Sequence, residues 1–383
     1  MQKLFKLQHL LFAALLIWCA QVAAQNPNFT YANTLLDVTF VNTAFPTGIA
    51  KDDGSGFFTA PEWSAADVKP VAYVSGAKVK VKARFQFSCT PTGTVYMKGV
   101  NPDGYDLPPV ALTFSGTEGT YEGESKTAFP ANTVNAFDPF NISWQASTDV
   151  NLPYTEMATS KNPLYVLYGT PNKFTTPFYT SIHLGCKNAA GQSEEDKIVD
   201  YMYGEFTDQC VERVGRAGCM SYWGANSHIS INPVPSSLFT TAGLLANGEA
   251  RCNAWAKFFI DMIRLQGLQN PPQLLQLEWT RSHYLEGVDN TNLDSDAATN
   301  QLEFGSLSPT SIVRRAGFFV KKWNIQERTF VDCFVTTTNS PNQLISSPNV
   351  DIIGSPAQNN NNPWAFFDEH LIVLYNNKYY EGS

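Results

Sequence analysis

The segment Gly248-Glu-Ala-Arg-Cys-Asn-Ala-Trp-Ala-Lys-Phe-Phe259, which continues to Gly267, contains the clearest pattern in the chain. From Ala254 onward, its apolar residues recur at steps of three and four, and this spacing predicts a helix with one apolar face. The residues on that face are Trp255, Phe258, Phe259, Met262 and Ile263. Leu265 fits the end of the helix, and Gly267 can adopt the left-handed conformation that commonly follows one. We expect the second half of the chain to be organised around this helix.

Cys252 lies at or just before the first turn of the predicted helix. Unpaired backbone N–H groups and the helix dipole at such a position favour a thiolate. Arg251 adds a neighbouring positive charge, and Asn253 is a plausible N-cap residue. The position makes Cys252 a candidate nucleophile, although single cysteines in chains of this size are more often packing or disulfide residues.

The pattern G-x-x-x-C-x-x-W-A-x-x-F, followed by an amphipathic helix that ends in R-L-Q-G-L, resembles the nucleophile helix of transglutaminase-like cysteine enzymes. The resemblance implies a papain-like α+β core, in which a helix packs on an antiparallel sheet. It also implies a catalytic thiol that is assisted by a histidine and an acidic residue. That chemistry requires no metal ion and no organic cofactor.

The last residues of the chain predict a β-hairpin, with the pair Asn376-Asn377 at its tight turn. Both asparagines tolerate the positive φ angles that a two-residue turn requires. Such a turn pairs Leu374 with Tyr379 and brings His370 close to the end of the strand that leads to Glu381. An imidazole and a carboxylate are then near neighbours across the hairpin.

The string F-F-D-E-H-L-I-V-L-Y-N-N-K-Y-Y-E around this hairpin resembles the histidine hairpin of the transglutaminase-like group. With this resemblance, Cys252 is the predicted nucleophile, His370 the general base and acid, and Glu381 the residue that orients the imidazole. His283 with Asp332 is the competing pair, since Asp332 is an aspartate near the end of a predicted strand.

An aromatic residue near the thiol often supports the reacting carbonyl in enzymes of this group. Tyr222 and Trp223 are the candidates for that role in this chain. Packing in the core is the alternative role for either residue.

Residues 25–172 predict an all-β, immunoglobulin-like sandwich of antiparallel strands. In its clearest strand, 79–89, apolar and polar residues alternate, which indicates one buried and one wet face. Further strands are predicted at 94–100, 111–114, 140–146 and 164–168. The aromatic residues Trp63, Tyr96 and Trp144 are expected in the core and not in a ligand groove.

Residues 173–383 predict the second, transglutaminase-like domain, because the pattern there changes from strands to helices. Ser193-Glu-Glu-Asp196 matches a capping box, which predicts one or two helices at about 193–215. Three strands are predicted after the Cys252 helix, at 273–279, 318–323 and 328–335.

Residues 1–24 predict a secretory signal peptide, since Lys3 and Lys6 precede a short apolar run that ends in small residues near Ala24. The protein is therefore expected to be secreted, periplasmic or at the cell surface. No later segment is apolar over the length needed to span a bilayer, so we expect no stable membrane insertion.

The net charge is −8, and lysine and arginine are scattered along the chain, which argues against a nucleic-acid-binding face. Export permits disulfides, and Cys210 with Cys219 is the first pair to expect, because both lie in one short segment. No C-x-x-C spacing indicates a zinc site.

These features predict an exported two-domain cysteine enzyme that transfers acyl groups at amide bonds of a protein or peptide substrate. Hydrolysis is favoured over crosslinking. The alternative is a surface adhesion or scaffold protein without catalysis, which the sandwich and the position of Glu381 two residues from the end of the sequence both allow. Glu381 is also one methylene longer than the aspartate or asparagine that such enzymes usually use. Carbohydrate binding by the sandwich is a third hypothesis, and the sequence indicates no oligomeric state.

Overall fold

The computed structural model describes residues 33–222, 239–280, 317–324, 329–336, 358–359 and 369–382. Within its strands, the side chains at 276–280, 317–324, 329–336 and 369–370 lie outside this description. The predicted signal peptide, residues 1–24, also lies outside the described residues and remains a prediction.

The described strands are β1 (Asn33–Val41), β2 (Ile49–Ala50), β3 (Phe57–Phe58), β4 (Trp63–Ser64), β5 (Asp67–Val68), β6 (Val71–Val74), β7 (Lys78–Phe87), β8 (Tyr96–Val100), β9 (Leu107–Ala111), β10 (Thr113–Ser115), β11 (Glu118–Ala128), β12 (Asn135–Ser147), β13 (Thr155–Leu167), β14 (Ser221–Tyr222), β15 (Glu249–Ala250), β16 (Gln273–Thr280), β17 (Gly317–Asn324), β18 (Thr329–Thr336), β19 (Glu369–Tyr375) and β20 (Lys378–Tyr380). The described helices are α1 (Tyr179–Lys187), α2 (Glu195–Thr207), α3 (Thr241–Asn247) and α4 (Cys252–Leu265). None of these helices is both long and apolar enough to cross a bilayer.

The chain is rich in β-structure and forms more than one compact unit, which confirms the prediction at that level. The first unit contains the described residues up to Gly204 together with Asp261–Gln269. The second contains Glu205–Ile260 and the described residues from Asn270 onward. This division groups α1 and most of α2 with the strands, so the domain boundary predicted at residue 172 remains a prediction.

The first unit contains two large sheets that share one hydrophobic core. Among the described residues, one sheet has six strands in the order β10-β11-β7-β1-β4-β5, and the other has five in the order β6-β13-β12-β8-β9. Phe85 and Tyr121 from the first sheet both pack edge-on against Trp144 of the second, with ring centroids 5.5 and 5.3 Å apart. Trp144 is therefore part of the core, as predicted, and its Nε1 donates a hydrogen bond to Ser160 Oγ at 3.1 Å.

Strand β7 shows why these sheets pack together. Every second residue of the strand is buried, and the residues between them are half-buried or exposed. The buried residues are Val79, Val81, Ala83, Phe85 and Phe87. The predicted alternation is confirmed, because the apolar side of the pleat forms part of the shared core. The predicted strand was two residues too long, since β7 ends at Phe87 and Cys89 is only half-buried.

The prediction of a wholly antiparallel sandwich is wrong for one strand pair. Strands β6 and β13 are parallel, with Val71 opposite Leu164 and Val74 opposite Leu167. Parallel neighbours cannot be joined by a tight turn and need a long connection. Here the whole of the chain between β6 and β13 makes that connection, through both sheets, so the alternating pattern of each strand gave no sign of its direction.

The helical prediction at 193–215 is wrong in its second half. Helix α2 ends at Thr207, and Gln209 adopts a positive φ of 61°, which an α-helix does not allow. A disulfide then joins Cys210 to Cys219, whose Cα atoms are 4.8 Å apart. The predicted disulfide is thus confirmed, and the segment that it closes is a loop.

The second unit contains an antiparallel sheet with the order β18-β17-β16-β19-β20 among the described residues. Helix α4 packs against this sheet through Phe259, whose ring centroid lies 5.4 Å from that of Tyr380 on β20. Phe206, at the end of α2, packs on the ring of Phe259, with the two ring centroids 5.3 Å apart. The predicted strands after α4 and the predicted helix itself are therefore present.

Candidate active site

A left-handed glycine directs the chain into the helix that carries Cys252. Helix α3 ends at Gly248, which has a φ of 78° and donates its N–H to Leu244 O at 2.7 Å. Strand β15 follows and lies parallel to β14. Helix α4 then begins at Cys252, so the thiol is on the first helical residue.

Arg251, and not Asn253, caps this helix. The carbonyl oxygen of Arg251 accepts hydrogen bonds from the backbone N–H groups of Ala254 and Trp255, at 3.0 and 3.3 Å. Asn253 lies inside the first turn and is buried, and its Oδ1 has no hydrogen-bond partner among the described residues. The predicted cap was wrong because the helix begins two residues earlier than an asparagine cap at 253 would require.

The turn at Gly248 is also held by Arg213. Arg213 Nη1 donates to the carbonyl oxygens of Leu245 and Ala246 at 2.8 and 3.2 Å. Carbonyl groups in the last turn of a helix such as α3 have no partner within the helix. A Cβ atom on residue 248 would lie only 2.6 Å from Arg213 Nη2. The positive φ therefore favours glycine at this position, and an added Cβ atom would also displace the Arg213 guanidinium.

We expect the substitution Gly248→Ala to lower the free energy of unfolding by more than the about 1–2 kcal/mol that a left-handed alanine costs by itself. The added loss comes from the displacement of Arg213. Urea denaturation of the two variants Gly248→Ala and Gly215→Ala measures the difference. Gly215 also has a positive φ, of 72°, but a Cβ atom added there would have no atom of the described residues within 4 Å. Equal losses in both variants would show that the Arg213 contact adds nothing.

The hydroxyl of Tyr222 lies near the Cys252 thiol. Tyr222 pairs with Ala250 across β14 and β15, two residues before Cys252, and the Cys252 sulfur acts electrostatically on the Tyr222 hydroxyl. Burial, the nearby sulfur of Cys252 and the Glu381 carboxylate raise the pKa of Tyr222 far above its usual range. The hydroxyl therefore keeps its proton at physiological pH and remains a hydrogen-bond donor.

Glu381 reaches the same place from the terminal hairpin. The predicted turn is confirmed, since Asn376 and Asn377 have φ angles of 45° and 62°, and Leu374 pairs with Tyr379. The chain beyond the hairpin stays close to α4, because a Cβ atom on Gly382 would lie 3.7 Å from the carbonyl oxygen of Trp255. Glu381 lies between Tyr380 and Gly382, which both lie close to residues of α4. The charge of Glu381 acts on Tyr222.

The other predicted residues are placed less completely. The backbone of His370 lies in β19 opposite Leu277, and its side chain lies outside the described residues. His283 and Trp223 also lie outside them. Asp332 lies in β18, the edge of the described sheet opposite β20, and its side chain is likewise not described. Since neighbouring strands are about 4.8 Å apart, Asp332 and the strand of His370 are separated by roughly 14 Å across the sheet.

Cys186 provides a contrast to Cys252. It is completely buried in the first unit, its Sγ accepts a hydrogen bond from Gln266 Nε2 at 3.4 Å, and burial raises the pKa of its thiol to about 12. This thiol is a packing residue. Cys252, by contrast, lies on the first turn of a helix, and its sulfur and the Glu381 carboxylate both act on the Tyr222 hydroxyl.

One group of potential metal ligands occurs among the described residues. The ligand atoms of Cys210, Glu212 and Cys219 lie within 4.8 Å of one another. Both sulfurs belong to the disulfide and are therefore not thiolate ligands. This group offers no metal site in the oxidised protein.

Comparison with known proteins adds no relative to this description. No protein-family model matches the chain, and no curated protein matches it significantly.

Proposed function

We propose that this protein is a transglutaminase-like cysteine enzyme that transfers acyl groups at amide bonds. The observation that supports it best is the convergence of Cys252, Tyr222 and Glu381 at the first turn of α4. The helix on an antiparallel sheet, with the terminal hairpin packed on that helix, agrees with the papain-like core that the sequence pattern implies. In this proposal the first domain is immunoglobulin-like, and the protein is exported.

In the proposed reaction, Cys252 Sγ attacks the carbonyl carbon of a peptide or carboxamide bond. His370 takes the thiol proton and passes it to the departing amine or ammonia, so that a thioester remains on Cys252. Water then attacks the thioester carbon while His370 accepts a proton from it. The C–S bond breaks, His370 returns that proton to Cys252 Sγ, and the carboxylic acid leaves. Glu381 orients the imidazole of His370 in this scheme.

Tyr222 supplies a donor to the oxygen that becomes negative when sulfur attacks. Its hydroxyl lies near the Cys252 sulfur, and the attacked carbonyl oxygen must come within a few ångströms of the same sulfur. Because burial raises its pKa, the hydroxyl donates a proton to a hydrogen bond without losing it. These contacts support the catalytic role over the packing role that the sequence left open, although the residue is also buried.

The alternative of a non-catalytic scaffold rests on the low exposure of the thiol. Cys252 is 7 % exposed, so little of the residue is accessible to a substrate. The two functions differ in one measurable property, the reactivity of the Cys252 thiol.

Alkylation with iodoacetamide at neutral pH, followed by peptide mapping, is the test of the proposed function. We expect Cys252 to react faster than a cysteine in the unfolded chain, because an activated thiolate is the better nucleophile. Cys186 serves as the internal control and should stay unmodified, since it is buried and its pKa is about 12. If Cys252 reacts no faster than an unfolded thiol, the proposed enzyme is lost and the scaffold function is favoured.

A further inference from the structure

We propose that the turn formed by Gln358 and Asn359 positions Tyr222 against the Cys252 thiol. This inference rests on the proposed function, because the catalytic role of Tyr222 is part of that function. The backbone carbonyl of Gln358 accepts a hydrogen bond from the backbone N–H of Tyr222 at 2.7 Å. More than a hundred residues separate the two in sequence, so the contact exists only in the folded chain.

The turn acts as the second neighbour of strand β14. On one side of the strand, the N–H of Ser221 donates to Gly248 O at 2.8 Å, and β14 lies beside β15. Successive N–H groups of a strand point to opposite sides. The next N–H, that of Tyr222, therefore points away from β15, and Gln358 is the residue that receives it.

The side chain of Gln358 fixes the turn to α2. Gln358 is 2 % exposed, and its Nε2 donates to Phe206 O at 2.7 Å. Phe206 is in the last turn of α2, where backbone carbonyls have no partner within the helix. A buried amide that pairs with such a carbonyl holds the turn at one position, because breaking the bond would leave two buried polar groups unsatisfied.

Asn359 fixes the turn to both ends of the disulfide loop. Its backbone N–H donates to Gln209 O at 2.7 Å, just before the loop. Its Nδ2 donates to Ser221 Oγ at 2.9 Å and to Cys219 O at 3.3 Å, at the far end of the loop. Asn359 adopts a positive φ of 44°, a conformation that asparagine tolerates better than most residues.

Tyr222 needs this support because its own strand is short. Strand β14 has only two residues, and Tyr222 is the last of them. A catalytic group must be held within about 0.5 Å of its working position, and two-residue strands supply few bonds for that purpose. The turn adds hydrogen bonds directly to Tyr222 and to its neighbour Ser221. Gln358 and Asn359 are thus positioning residues that act on the thiol through Tyr222.

A double-mutant cycle on Cys252 alkylation tests this inference without a substrate. The four proteins are the wild type, Gln358→Ala, Tyr222→Phe and the double variant, and the readout is the second-order rate constant for iodoacetamide at Cys252. We expect each single substitution to change the rate constant in the same direction by at least about threefold, and the double variant to match Tyr222→Phe alone. The inference would be overturned if the two single effects on the rate constant multiplied in the double variant. It would also be overturned if Gln358→Ala left the rate constant unchanged.

Two further variants separate positioning from general destabilisation. Asn359→Gly keeps the left-handed backbone and removes only the side-chain bonds, so it should reproduce the effect of Gln358→Ala if that variant fails to fold. Gln266→Ala is the matched control, because Gln266 is also a buried glutamine, but its amide bonds Cys186 and the backbone of Tyr168. It should lose stability and leave the Cys252 rate constant unchanged, and a change of equal size there would also overturn the inference.

Failure of the proposed function and failure of this inference would be seen in different measurements. A wild-type protein that turns over no peptide or carboxamide substrate contradicts the enzyme, while the alkylation cycle still reports whether Gln358 acts through Tyr222.

Discussion

Replacement of Cys252 by serine is expected to abolish acyl transfer and to leave the fold intact. Serine has nearly the same size, and the 7 % exposure of Cys252 leaves little room for rearrangement. Loss of the thiolate nucleophile should lower kcat by at least about 10³-fold, since serine in a site built for a thiol is not ionised. Release of ammonia from glutamine-containing peptides and cleavage of an unfolded protein substrate are the two assays, and circular dichroism checks the fold.

The matched control for this experiment is Cys186→Ser. Cys186 is even more buried than Cys252 and lies in the first unit, so its replacement costs stability without touching the chemistry. Its turnover should stay near that of the wild type. If Cys252→Ser retains more than about one tenth of the wild-type kcat, then Cys252 is not the nucleophile.

Removal of the Tyr222 hydroxyl, in Tyr222→Phe, should lower kcat by about 10²-fold and change KM little, the effect expected for one donor to a developing oxyanion. The ring still fills its buried position, so the fold should persist. Burial raises the pKa of Tyr222 above its ordinary value of about 10, and the hydroxyl is therefore protonated throughout the working range. The ratio of wild-type to variant kcat should accordingly be constant with pH over the neutral range.

Tyr121→Phe is the control for Tyr222→Phe. Tyr121 is also fully buried, and its hydroxyl donates to Pro108 O at 2.9 Å within the first unit. Its loss should lower the unfolding temperature and leave kcat unchanged. A Tyr222→Phe variant that keeps its kcat, or loses no more of it than Tyr121→Phe does, would assign Tyr222 to the core alone.

Local patterns predicted much of this fold. The apolar spacing after Ala254 gave helix α4, the alternation in β7 gave its buried face, and the pair Asn376-Asn377 gave the terminal turn. In each case the residues that determine the structure are close together in sequence, so their periodicity or their turn preference can be read directly. The same reasoning placed Cys252 on the first turn of its helix.

Features that depend on distant residues escaped prediction. Helix α1 has no side-chain hydrogen bond from its own N-cap residue, and the backbone N–H of Thr180 in its first turn donates to Asp52 Oδ1 at 3.1 Å. The parallel direction of β6 follows from a connection through two sheets. Gln358 contacts Tyr222 across more than a hundred residues, and no periodic pattern marks such a pair.

The candidate site divides in the same way. The motif around Cys252 and the terminal hairpin could be recognised as short strings, and these led to His370 and Glu381 as partners. The electrostatic effect of Glu381 on Tyr222, by contrast, depends on how the hairpin packs on α4. Tyr222 was one of two aromatic candidates in the sequence, and its position near Cys252 is the observation from which we propose a catalytic role for it.

The bond between Cys210 and Cys219 has a practical consequence for how the protein is prepared. The loop that it closes ends shortly before Tyr222, and Asn359 fastens both of its ends. In the cytosol of a production host, reductants keep such cysteines reduced. Protein made there would lack this disulfide and would hold Tyr222 less firmly than protein made by secretion. The two preparations would differ in turnover despite identical sequences.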